Sequence, residues 1–283
     1  MTMTNFFRFL ILFVLLSATV LANPPRPVNY VVLLDLSDRL LAPDQARRDA
    51  ALVQAVFADF DRRVKKQLII NAKDRFRVVI APQRGVGYQP DAYMESLYLD
   101  MSALTMNVKR QRLDALRTEL PRQLTRLYAE AMAGKRQPRD FAGSDLWQYA
   151  NEQLPTDLDP AYDNVLVVLT DGYFDFENNR NALKQGNRAT DSRMLDRLRR
   201  DPNWPKTLDR PTEGLIPVQK PLPNLTVCVA EIRPKYPNLT EADLLTALWT
   251  KWLRESKVRR WVVQQQAGLS KSLTRLHEFL AVS

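Results

Sequence analysis

Three short strings of this 283-residue chain are rich in side-chain oxygen and hold neither histidine nor cysteine. They are Asp35-Leu36-Ser37-Asp38-Arg39, Gly143-Ser144-Asp145-Leu146 and Leu169-Thr170-Asp171-Gly172. Carboxylates and hydroxyls without nitrogen or sulfur donors make a hard-oxygen set, suited to Mg2+ or another hard divalent cation such as Mn2+ or Ca2+. Taken singly, each string is also ordinary turn and cap chemistry, because Asp and Ser side chains accept from nearby backbone N–H groups. What separates the two readings is whether the fold brings the strings to one place.

The elements that must position them are legible. The first string follows Tyr30-Val31-Val32-Leu33-Leu34, an apolar run with the length and branching of a strand buried on both faces. The third closes a similar run over 164–170, and further strand-like runs cover 76–82, 96–101, 225–232 and 260–265. Ser144 is placed as the N-cap of a helix that carries Leu146, Trp147, Ala150 and Leu154 on one side. Other helical stretches span 43–67, 108–133, 240–258 and 270–280; in the second, Pro121 kinks or splits a stripe of Leu113, Leu116, Leu120, Leu124 and Leu127. Strands alternating with helices predict an α/β fold: a doubly wound, mostly parallel sheet flanked by helices. In such a sheet the strand exits open onto one edge, where ligands bind. A helix start arriving there adds a hydroxyl and free N–H groups.

One segment breaks the rhythm. Residues 172–223 separate two strands by far more than a usual connection, and read either as an excursion beside the ligand edge or as a plain surface insertion. Trp249, Trp252 and Trp261 fit core packing.

The three strings resemble the von Willebrand factor type A (vWA) domain and its metal-ion-dependent adhesion site. That family pairs an Asp-x-Ser-x-Ser string after the first strand with a Thr from a later loop and an Asp in a Thr-Asp-Gly-like turn. Asp35 and Ser37 match the first two members, Ser144 takes the Thr place, and Asp171 matches the last. The resemblance runs from about residue 29 to the C-terminus, apart from the excursion. It implies a Rossmann-like fold with a metal held by Asp35, Ser37, Ser144 and Asp171. It also implies binding and not catalysis, with an acidic residue of a protein partner filling an open coordination position.

Arg39 departs from the pattern, standing where the family has its second Ser. A guanidinium beside a divalent cation is repelled by on the order of several kcal/mol at an effective dielectric near about 20. Arg39 must therefore either face solvent, leaving Asp38 or Asp145 to complete the shell, or bridge Asp35 and Asp171 and replace the ion in a metal-free scaffold. Two enzyme readings are weaker. A phosphoryl-transfer hydrolase of the haloacid dehalogenase type would use Asp35 as nucleophile, but Ser37 stands where its general acid belongs. A Ser-His-Asp hydrolase would need His277, the sole histidine, and no G-x-S-x-G elbow accompanies it.

Composition bounds the rest. Arg8 and the apolar stretch over 9–16, continuing to Val20 and Ala22, read as a signal peptide over 1–22, short of the roughly 20 residues that span a bilayer. The mature chain, 23–283, is then exported to a periplasmic or extracellular space without a transmembrane segment. The single cysteine, Cys228, sits in an apolar run and reads as core. The net charge of +9 is spread over helical segments, which with export disfavours nucleic acid as a partner. Asp157, Asp159 and Asp163 lack EF-hand spacing and read as a solvated loop, and Asn224 and Asn238 begin glycosylation sequons.

Overall fold

The computed structural model describes residues 26–175, 182–235 and 240–282. The signal-peptide reading and Asn238 lie outside them. The main sheet has six strands in the order β3-β2-β1-β4-β8-β9. These are β1 (Val28–Leu34), β2 (Arg75–Ile80), β3 (Tyr98–Asp100), β4 (Asp163–Leu169), β8 (Leu225–Ile232) and β9 (Arg260–Gln265). All neighbours run parallel except the edge pair β2–β3, which is antiparallel. From β1 the chain moves outward to β2 and β3, then returns to place β4 on the other side of β1. The winding therefore reverses between β1 and β4, the place where open α/β sheets bind ligands.

Alternation along the central strands sends Tyr30, Val32 and Leu34 to one face and Val31 and Leu33 to the other. The first face is covered by α1 (Gln45–Lys66), α3 (Met106–Met132) and α9 (Leu269–Ala281); the second by α8 (Glu241–Glu255), by the helical turns after Ser144, which include α4 (Leu146–Gln148) and α5 (Leu154–Asp157), and by the excursion. The short α2 (Pro90–Ser96) precedes β3. Helix α3 is continuous through Pro121, so the proline does not split it; its leucine stripe is buried throughout. Cys228 is fully buried, and burial pushes its thiol up to about 12. Trp249 and Trp252 are buried against Phe174, and Trp261 packs half-buried at the rim of the same cluster.

The excursion is built rather than plain. It forms a small sheet of β5 (Lys184–Gln185), β6 (Asn187–Ala189) and β7 (Glu213–Leu215), with α6 (Leu195–Leu198) and α7 (Trp204–Leu208) beside it. It is tied to the main body where the Trp147 and Trp252 indoles both donate to the Ile216 carbonyl, at 2.7 and 3.0 Å. The acidic loop over 157–163 is not simply solvated: Asp159 pairs with Arg75 at 2.8 Å, and Asp157 pairs with Arg77.

Candidate functional site at the carboxyl edge of the sheet

The three strings meet. At the β1 and β4 exits the Asp35 N–H donates to the Leu169 carbonyl at 3.1 Å, and the Thr170 hydroxyl donates to Asp35 Oδ2 at 2.7 Å. The other oxygen, Oδ1, accepts the Ser37 N–H at 3.0 Å. The Gly143-Ser144 loop is held from both sides. Asp145 N donates to the Pro82 carbonyl beyond β2 at 2.9 Å, and Ser144 N donates to the Asp175 carbonyl in the β4 loop at 3.1 Å. A single amide bridges the first two strings: Gln83 Nε2 donates to the carbonyls of Leu36 (3.1 Å) and Gly143 (2.8 Å) and lies 3.5 Å from Ser144 Oγ. Tyr88 fixes that amide by donating to Gln83 Oε1 at 2.6 Å.

Asp35, Ser37, Ser144 and Asp171 are each buried, at 1 to 4% exposure. The hydroxyls are not spent on caps. Ser37 precedes the 3-10 turn Asp38–Leu41 without a side-chain cap bond. The helical segment after Ser144 begins only at Leu146, and its cap is Asp145, which accepts from Gln148 N at 2.8 Å. The expectation that Ser144 caps this helix is therefore corrected by one residue: Asp145 reaches the N–H three positions on. One Asp145 oxygen, Oδ1, is thereby spent on the cap.

Arg39 does neither of the things expected of it. It is 2% exposed, so it does not face solvent, and it does not bridge Asp35 and Asp171. Its fork turns back into the protein, to Asp49 of α1, with Nη1–Oδ2 at 2.6 Å and Nη2–Oδ1 at 3.1 Å. Nη1 also donates to the Asp35 carbonyl at 3.2 Å. Burial works against the charge on Arg39, and Asp49 more than offsets it, holding the guanidinium well above its ordinary value. Gln45 and Tyr128 complete Asp49, at 2.8 and 3.2 Å. Arg39 thus braces the floor of the site from beneath.

The cation that enters the mouth is Lys235, from the exit of β8. Its Nζ stands 2.8 Å from Asp38 Oδ1, 3.3 Å from Asp175 Oδ2 and 3.7 Å from Asp171 Oδ2. Burial lowers its affinity for a proton, but Asp171, Asp175 and Asp38 outweigh this and raise it above its ordinary value. Asp171 remains poorly served. Oδ1 accepts the Tyr173 N–H at 3.2 Å, while Oδ2 is buried without a hydrogen-bond partner among the described residues. Burial pushes its carboxyl up to about 7; the Lys235 ammonium opposes this and Asp35 adds to it. Gly172 follows with φ +102°, and a Cβ there would lie 2.7 Å from Ile232 Cδ1, so the turn that sets Asp171 requires glycine.

In type and charge the residues fit a hard divalent cation: the carboxylates of Asp35 and Asp171, the second with a buried oxygen that no hydrogen bond takes up among the described residues, and the hydroxyls of Ser37 and Ser144, neither spent on a cap. Among the described residues no three or more His, Cys, Asp or Glu side chains gather as a metal cluster, so an ion here would lean on the hydroxyls as well. His277 lies exposed on α9. Both oxygens of Asp35 are engaged by donors, which is the arrangement of an orienting group more than of a free nucleophile.

Sequence reasoning missed Lys235, Asp49 and Gln83. Lys235 had a signal, since it lies just past a third parallel strand, whose exit opens onto the same edge. Asp49 had one too, as a carboxylate between the apolar positions Ala46 and Val53 of α1. Nothing local marked Gln83.

No protein-family model matches the chain, and no curated protein matches it. Among solved structures it is similar to proximal thread matrix protein 1 of the mussel byssus (9% identity, TM-score 0.32, covering 90% of this chain and 47% of that one). It is also similar to the pilus adhesin SpaC of Lactobacillus rhamnosus GG in its open conformation (8% identity, TM-score 0.39, covering 91% of this chain and 30% of that one). The chain thus spans about half and about a third of those two proteins, a distant likeness at low identity.

Proposed function

We propose that this chain is an exported, vWA-like protein-binding domain that recognises a protein partner at the carboxyl edge of its sheet. Its site holds a hard divalent cation, Mg2+ in the first instance, through Asp35, Ser37, Ser144 and Asp171. The observation that carries this reading is Asp171 Oδ2, a buried carboxylate oxygen without a hydrogen-bond donor among the described residues, at the switch point of a doubly wound sheet. Such an oxygen costs free energy unless a cation or donor takes it up. When bound, the ion supplies an electrophilic centre that an acidic partner side chain completes. The protein supplies the rigidity: Thr170 and the Ser37 N–H lock Asp35, Gln83 locks the Ser144 loop, and Arg39 with Asp49 locks the floor.

A second reading keeps the partner and dispenses with the ion. It is favoured by Lys235, whose ammonium already sits among Asp38, Asp171 and Asp175. Calorimetric titration of Mg2+ into the chain and into Asp171→Ala separates the two. The first reading expects a binding isotherm that the substitution abolishes. An isotherm unchanged by the substitution rules out this ligand set, and no heat from either protein leaves the metal-free scaffold.

A further inference from the structure

Arg39 and Lys235 are held differently. Arg39 is clamped by a two-point fork on Asp49 and has no room to leave. Lys235 is anchored by its backbone, which donates to the Tyr173 hydroxyl at 3.1 Å, while that hydroxyl donates to Glu241 at 2.8 Å. Its side chain is a flexible stem with a point charge at the tip, 26% exposed and 5.0 Å above the Tyr173 ring. Its shortest bond is to Asp38, at the rim, and its distance to Asp171 Oδ2 exceeds hydrogen-bond length. The ammonium therefore screens Asp171 without satisfying it. A divalent ion drawn to the same oxygen would lie within a few ångströms of that ammonium, and two positive charges so close repel strongly in a buried mouth.

We propose that Lys235 is the resting occupant of the acidic mouth, an internal ammonium that competes with a divalent cation for Asp171 and sets how tightly the site holds one. This rests on the divalent-cation reading above. Removing the charge while keeping the stem frees the mouth; keeping the charge keeps the competition. The ammonium has a place to go, toward Asp38 and Asp175 and the solvent beyond them.

Calorimetry with Mg2+ on the wild-type chain, Lys235→Met and Lys235→Arg tests this, together with labelling of Lys235 in the wild type by an amine-reactive ester. The expected result is at least tenfold tighter Mg2+ binding by Lys235→Met, wild-type-like affinity for Lys235→Arg, and several-fold faster labelling of Lys235 at saturating Mg2+. Equal affinities in all three proteins, with labelling unchanged by Mg2+, would overturn the competition and leave the ion site standing. Absence of heat from every protein, Lys235→Met included, would overturn both. If Lys235→Met does not fold, the labelling rate in the wild type decides.

Discussion

Glu231 and Asp171 sit at the ends of neighbouring strands, β8 and β4, and both are 2% exposed. Their surroundings push them in opposite directions. Burial raises the carboxyl of Glu231, but Arg48, Gln266 and Ser272 hydrogen-bond to it and together hold it below its ordinary value. Arg48 grips it in a fork at 2.7 and 2.9 Å, and Gln266 and Ser272 donate at 2.9 and 2.8 Å. Asp171 has one backbone donor and an ammonium at a distance, and is raised to about 7. Glu231 also adopts φ 72°, unusual for a residue with a side chain, at a register shift in β8. The surrounding bonds hold it there. One carboxylate is finished by the protein and belongs to the frame; the other is left unfinished and is the one proposed as a ligand.

The frame is where substitutions should cost most. Asp49→Ala strips Arg39 of its fork and leaves a buried cation unpaired, an expected loss of ~3–5 kcal/mol in denaturant unfolding. A loss under about 1 kcal/mol would mean that Arg39 finds water, and that the floor is softer than drawn. Glu231→Gln should cost ~2–3 kcal/mol, since the Arg48 fork loses its charge partner while the shape is kept.

The pH dependence of the two carboxylates has opposite sign. For Glu231 the folded value lies below the ordinary 4.5, so its stabilisation is fully present above that pH and is lost as pH falls beneath it. Glu231→Gln should flatten this acid limb in urea titrations. For Asp171 the folded value, about 7, lies above the ordinary 3.8, so between those values the folded state keeps a proton that the unfolded chain has released. In chelator-containing buffer its contribution should therefore fall as pH rises through that window, and Asp171→Asn should remove the slope. The smallest effect follows: at pH 7, in the same buffer, Asp171→Asn should leave stability unchanged or raise it by ~1 kcal/mol. A large loss would make Asp171 part of the frame.

Most of this architecture was legible. The apolar runs after residues 29, 163 and 224 mark buried strands because their branching and length suit few alternatives, and the β8 run begins and ends where expected. Asp35 and Asp171 were legible as strand exits on one edge, because parallel strands leave no other place for them. The small sheet of the excursion was not, since strands of two or three residues carry too few alternating positions to stand out. Nor was the partner of Arg39. A spacing of ten residues puts Asp49 on the next helix, and whether a guanidinium turns inward or outward depends on a buried carboxylate that local sequence does not place. Lys235 was missed because it contributes a charge to a site defined by the search for oxygen.

The most direct measurement is anomalous diffraction from crystals of the protein grown with Mn2+. A single strong peak is expected at the Asp171 carboxylate among Asp35, Ser37 and Ser144, with the Lys235 ammonium drawn away from it. An empty mouth at saturating Mn2+, with the ammonium still among Asp38, Asp171 and Asp175, would contradict it.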